Sequence, residues 1–153
     1  MAAPVDKQWP ETAARGLRRY VRLVAEAVGA GPSAWCCEVD ARPTAYIALE
    51  GRVPRYPGRD VALLWDARNG WAAGIETAST EDLIIVAYLG NDVLPAPRLV
   101  ARHVAELLAG ALVEAPEPPY FRTRGADDGL GERLAEYAAR PQPWKMPRPV
   151  GLA

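Results

Sequence analysis

The sequence predicts an α+β domain: a five-stranded, mainly antiparallel meander sheet with two helices on one face, in the order α-β-β-β-β-β-α, followed by a proline-rich C-terminal tail. Three observations carry this prediction. Residues 60–77 read as a β-hairpin, with apolar Val61-Ala62-Leu63-Leu64-Trp65 entering and Trp71-Ala72-Ala73-Gly74-Ile75 leaving a turn at Asp66-Ala67-Arg68-Asn69-Gly70. Asn and Gly accept the positive φ that closes a hairpin with right-twisting arms. Strand-like runs joined by short links flank this hairpin, which favours sequential antiparallel pairing. One amphipathic helix lies outside the strands on each side, and the two need a common surface to bury against.

In chain order, residues 1–10 form a loose start. Helix one follows over 11–28, with Leu17, Tyr20, Val21, Val24, Ala25 and Val28 at helical spacing, and Arg15, Arg18, Arg19 and Arg22 mostly on the opposite side. Gly29-Ala30-Gly31-Pro32 stops it. Strands are predicted over 34–40, 44–50, 61–65, 71–77 and 83–89, with an arginine- and proline-rich loop over 51–60. Helix two spans 97–109, with Leu99, Val100, His103, Val104, Leu107 and Leu108 on its apolar face. The α+β domain then covers 11–113. Beyond it, Pro116, Pro118, Pro119, Pro141, Pro143, Pro147 and Pro149 mark 114–153 as an extended tail, partly ordered or ordered on binding. Only 130–139 has the pattern of a short helix there, anchored by Leu134 and Tyr137.

Length and composition narrow the function classes. The 153 residues fit one domain with an appendage, and 50% hydrophobic content supports a real core. A net charge of -1 provides no global basic field, which argues against a dedicated nucleic-acid binder. Met1 to Glu11 lacks the apolar region of a secretory signal, and no apolar run has the length of a membrane span. The two cysteines, Cys36 and Cys37, are adjacent and would point to opposite faces of a strand, so free thiols in a reducing cytoplasm are expected.

Alternation along the strands separates two faces. A bulky set, Ile47, Leu49, Val61, Leu63, Trp65, Ile75, Leu83, Ile85 and Leu89, is assigned to the helices. The other set is mixed: Glu38, Tyr46, Ala48, Glu50, Ala62, Leu64, Ala72, Gly74, Glu76, Ile84, Val86 and Tyr88. Such a face is too apolar to be left wholly in water. A second copy, the tail folding back, or a ligand or partner on a shallow floor rimmed by tyrosines and glutamates can each cover it.

The chemistry-bearing residues are few. His103 is the lone histidine and has no Ser or Cys at triad spacing; with two adjacent cysteines it makes no zinc pattern, so neither metal nor cofactor is expected. Glu38 and Glu76 share a predicted face and can divide acid and base roles if their environments differ. Arg52, Arg55 and Arg59, with Tyr56, suit a phosphate, a carboxylate or an acidic partner. Trp65 and Trp71 bracket the turn; with one in the core, the other is an aromatic anchor for an interface, and Trp71 is the candidate.

At Gly16-Leu17-Arg18-Arg19-Tyr20-Val21, at Trp65-Asp66 with Gly70-Trp71, and along Ala87 to Pro95, the chain resembles an actinobacterial family of small domains of unknown function, over about residues 15–110. The resemblance implies a cytoplasmic actinobacterial protein and brings no activity and no site residues. The leading expectation is a non-catalytic binding or regulatory module acting through the second sheet face, the 51–60 loop and the tail. Its candidate binding residues are Tyr46, Tyr88, Glu76, Arg52, Arg55, Arg59 and Trp71, and its partner is a protein or a second copy. The alternative is a small enzyme or small-molecule-binding protein of a biosynthetic pathway, with its pocket on the same face and Glu38 or Glu76 as acid/base. Nucleic-acid binding through Arg15, Arg18, Arg19 and Arg22 is a third and weaker reading.

Overall fold

Helix α1 (Glu11–Ala27) starts at Pro10 and carries Glu11 in its first turn, where a carboxylate complements the helix dipole. Its periodic stripe, Leu17, Tyr20, Val21 and Val24, is fully buried. The computed structural model describes residues 9–40, 42–77, 82–111, 117–119, 121 and 129–139. The loose start over 1–8 and the tail expectations for 112–116, 120, 122–128 and 140–153 lie outside the described residues.

Five strands follow: β1 (Trp35–Glu38), β2 (Thr44–Leu49), β3 (Val61–Asp66), β4 (Gly70–Glu76) and β5 (Leu83–Leu89). They pair in sequence order and antiparallel throughout, giving the expected meander. The β3–β4 hairpin pairs Asp66 with Gly70 across a three-residue loop. Asp66 Oδ1 accepts the amides of Arg68 and Asn69, both at 2.7 Å. Gly70 alone takes the left-handed conformation, at φ 71°, and Asn69 does not. This is the arrangement of a type I turn closed by a glycine bulge, rather than a two-residue Asn-Gly turn.

A β-bulge corrects the predicted faces of β5. Ala73 pairs with Ala87 but Gly74 pairs with Ile85, so Val86 is the extra residue. Before the bulge the chain is out of phase with the assignment made from alternation. Leu83 and Ile85, expected under the helices, stand opposite Glu76 and Gly74 on the other face. Val86, expected on that other face, is buried in the main core. Ile84 stands opposite Ile75 at the margin of the sheet and remains 55% exposed.

Helices α2 (Pro97–Leu108) and α3 (Leu130–Ala139) complete the fold. Three helices, rather than the expected two, share one core with the sheet face formed by Ile47, Leu63, Trp65, Trp71, Ala73, Ala87 and Leu89. α3 belongs to that core through Leu130, Leu134 and Tyr137, so the helical part of the predicted tail is an integral element. It packs closely on α1. A Cβ at Gly16 would lie 1.6 Å from the Leu134 carbonyl oxygen, so only glycine permits the approach. The Tyr20 and Tyr137 rings meet edge to face at 4.9 Å.

Candidate functional site

The register places the second face of the sheet in rows. One row crosses all five strands as Cys36, Tyr46, Leu64, Ala72 and Tyr88. The next is Ala48, Ala62, Gly74 and Ile85. Ala62 and Ala72 are only 1% and 4% exposed, sunk between larger neighbours, whereas Tyr46, Leu64 and Tyr88 stand half-buried. The result is a low floor with an aromatic residue towards each side. Tyr46 and Tyr88 are three strands apart, about 14 Å at the usual interstrand spacing. The Tyr46 phenol is pushed above its ordinary value, first by partial burial, then by the Glu76 carboxylate and Cys36.

Glu38 and Glu76 share this face but are not neighbours. Glu38 lies in the row of Thr44, Asp66 and Gly70, and Glu76 lies three rows further along and three strands across. That separation is about 20 Å along the strands and about 14 Å across them. An acid/base pair is not assembled. Trp71 requires a correction: it is 0% exposed, on the helix side, with Nε1 donating to the Tyr20 hydroxyl at 3.0 Å. Trp65 pairs with it in register and is equally buried, with Nε1 donating to the Val93 carbonyl at 2.7 Å. Neither tryptophan is an exposed interface anchor.

The 51–60 loop is a folded turn. Val53 is buried and Tyr56 packs on the core. Arg52 is hydrogen-bonded to the Asp60 carboxylate within the loop. The Arg55 guanidinium stands 5.8 Å from the Tyr56 ring centre, a cation–π contact, and Arg59 is exposed. Gly51 abuts Leu108 and Gly110 abuts Pro54, so the loop leans on the C-terminal end of α2. α3 lies on α1, and the segment reaching Phe121 lies at the hairpin tip, where the Phe121 amide donates to the Arg68 carbonyl and Asn69 Nδ2 donates to the Pro119 carbonyl. Among the described residues, the 51–60 loop and α3 therefore lie with the helices, away from the second sheet face, while Pro119 and Phe121 lie at the hairpin tip.

A cleft of about 490 Å³ opens between the β5–α2 loop and α2, lined in part by Asp92, Leu94, Leu99, Arg102, His103 and Glu106. Its charged groups are largely paired with one another. Arg102 Nε donates to Glu106 Oε1 at 3.4 Å, and His103 Nδ1 is 3.9 Å from Glu106 Oε2. Arg133 of α3 forks onto Asp92 at 2.9 and 2.7 Å, and this contact holds the Asp92 carboxyl below its ordinary range. No local signal in the sequence announces this ion pair, whose members are 41 residues apart. Among the described residues no group of three His, Cys, Asp or Glu side chains is placed to hold a metal ion. No described helix is long and apolar enough to cross a membrane.

The three stretches that carry the family resemblance meet in space. Tyr20 of α1 accepts from Trp71 of the hairpin and donates to the Pro95 carbonyl at 2.5 Å, while Trp65 holds the Val93 carbonyl. Burial pushes the Tyr20 phenol far above its ordinary range, so it is a neutral hydroxyl serving both partners. These residues tie α1, the hairpin and the loop before α2 together, which is a structural task. No curated protein and no solved structure matches the chain. A family model matches residues 20–106, more than half of the chain and the whole of this knot, and the protein belongs to that family, DUF6292, a family of unknown function.

Proposed function

We propose that the domain is a non-catalytic binding module whose helix-free sheet face docks a protein, in the first instance a second copy of itself. The observation that carries this reading is the row Cys36–Tyr46–Leu64–Ala72–Tyr88, running across five strands with the described helices all on the opposite face. Apolar surface in such a continuous strip favours removal from water, and two twisted sheets stack face to face at about 10 Å. A two-fold axis over the row would set Tyr46 of one copy near Tyr88 of the other. The free thiols of Cys36 and Cys37 accord with a reducing, cytoplasmic setting.

Native mass spectrometry tests the proposal. The wild-type protein is expected to show a doubled mass, and Tyr46→Ala with Tyr88→Ala to show a single one with an unchanged circular dichroism spectrum. A wild-type monomer at about 100 μM (roughly tenfold above a Kd near 10 μM, itself about -7 kcal/mol) overturns self-association. A small molecule retained by the wild type and lost from the double variant would favour the alternative, a ligand-binding protein on the same face. The observation that speaks for it is that a carboxylate, Glu76, and a partly buried phenol, Tyr46, share this face.

A further inference from the structure

On the other side of the molecule, α1 presents a second surface. Arg15, Arg18, Arg19 and Arg22 follow one another at spacings of three, one and three residues, which puts them on one side of the helix. At 1.5 Å per residue the series covers about 10 Å. The helix is held in place by its buried stripe and by α3, so the arginines project from a fixed base. Together with Trp35 of β1 and Ala138 of α3 they line a groove of about 460 Å³.

Three observations set this groove apart from a solvated helix face. First, four guanidinium groups line it and, among the described residues, no carboxylate does. Glu26 approaches Arg22 at 3.9 Å, and among the described residues Arg15, Arg18 and Arg19 have no ion-pair partner. Second, the Nε atoms of Arg19 and Arg22 are shielded from solvent without a hydrogen-bond acceptor. Shielded donors of this kind are costly unless an acceptor arrives. Third, the groove has a flat aromatic wall, Trp35, packed against the core and thus fixed. The positive charge reaches the strand as well: burial raises the Cys37 thiol above its ordinary value, and Arg18 partly offsets that rise.

Guanidinium forks match the oxygens of a phosphate, and an indole offers a face on which a nucleobase stacks. The groove volume lies within the roughly 300–1,000 Å³ usual for small-molecule sites. The net charge of -1 gives no global basic field of the kind that favours a long polyanion. We propose that the groove between α1, β1 and α3 binds a nucleoside phosphate, its phosphates held by Arg15, Arg18, Arg19 and Arg22 and its base against Trp35. This site is separate from the sheet face, so it stands or falls independently of the docking proposal.

Calorimetric titration of the full chain at low salt tests it, with ATP, inorganic pyrophosphate and an eight-residue oligothymidylate as probes. ATP is expected to bind saturably, and Arg15→Gln with Arg18→Gln to weaken it at least tenfold. Both side chains are exposed, so the fold should survive the change, with an unaltered melting temperature as the control. Trp35→Leu should weaken ATP about tenfold and leave pyrophosphate unaffected, a split that a merely structural role would not produce. No saturable ATP binding at 5 mM, or equal binding by the double arginine variant, overturns the proposal. Oligothymidylate bound more tightly than ATP, with a steep loss on adding salt, overturns it in favour of nucleic-acid backbone binding.

Discussion

The hairpin β3–β4 puts two cross-strand pairs side by side that face opposite ways. Trp65 and Trp71 form one pair, and Leu64 and Ala72 form the next. The tryptophans are buried under the helices, each Nε1 hydrogen-bonded to a group from a distant part of the chain. On the reverse, Leu64 stands half-exposed beside a sunken alanine, in a row that also holds two tyrosines. One ribbon thus serves two ends. The same strands hold the fold together on one side and offer a shaped surface on the other. The residues that carry the family likeness collect on the first side, which explains why they suggest a fold so well and an activity so poorly.

Trp71→Ala should produce the largest effect. It removes a fully buried ring and the donor to the Tyr20 hydroxyl, and substitutions of this kind cost about 3–5 kcal/mol. Leu64→Ala on the opposite face should cost about 1 kcal/mol in the monomer, because much of the side chain is already in water. Urea unfolding of the two variants gives the contrast directly. Repeating the Leu64 measurement across protein concentrations sharpens it. If a second copy covers this face, the cost rises with concentration, because the bound state adds to apparent stability. Equal losses for the two variants would mean that the faces do not differ in the way described.

The shared burial of the two tryptophans was legible in principle. Trp65 and Trp71 are equidistant from the centre of the turn at Arg68, so they are cross-strand partners on one face, and separating them into a core residue and an exposed anchor contradicts that symmetry. Periodicity revealed both long helices, because their apolar stripes are interrupted regularly by arginine, alanine and glutamate. The β5 face could not be read in the same way. Leu83-Ile84-Ile85-Val86 is an unbroken apolar run with no alternation to betray the bulge, and one inserted residue exchanges every side chain before it. The role of α3 was obscured by the prolines around it. Its mark in the sequence was Gly16, a glycine inside a helix, where the loss of about 1 kcal/mol relative to alanine calls for a packing reason. The groove arginines were visible as a cluster, but Trp35 joins them only through the path of the chain from α1 into β1.

Tyr20→Phe probes the helix side more finely, since it keeps the ring and removes only the hydroxyl. The Pro95 carbonyl and the Trp71 Nε1–H then lose their partner in a buried site. A loss of about 1–3 kcal/mol follows from leaving such groups unsatisfied. The same substitution should accelerate hydrogen exchange at amides near Pro95 more than at amides in β1 or β2. A uniform acceleration would show that the hydroxyl does not tether this loop in particular.

The smallest effect concerns the rim of the helix layer, where Arg133 of α3 grips Asp92. The Asp92 carboxyl is held below its ordinary value, chiefly by the hydrogen bonds from Arg133. A carboxylate depressed in the folded state contributes stability that is fully present above its unfolded value, about 4, and is lost as the pH falls through the lower folded value. Since the Arg133 and Asp92 side chains are 41% and 46% exposed, solvent screening limits the contribution to below about 1 kcal/mol. Melting curves recorded from pH 6 down to pH 2 should therefore converge: the wild type starts slightly above Asp92→Asn and loses that margin in acid. Curves that stay parallel over the whole range would show that the pair holds α3 by geometry alone. The row of Tyr46, Leu64 and Tyr88 on the opposite face of the sheet would be unaffected either way, because the pair lies on the helix side of the fold.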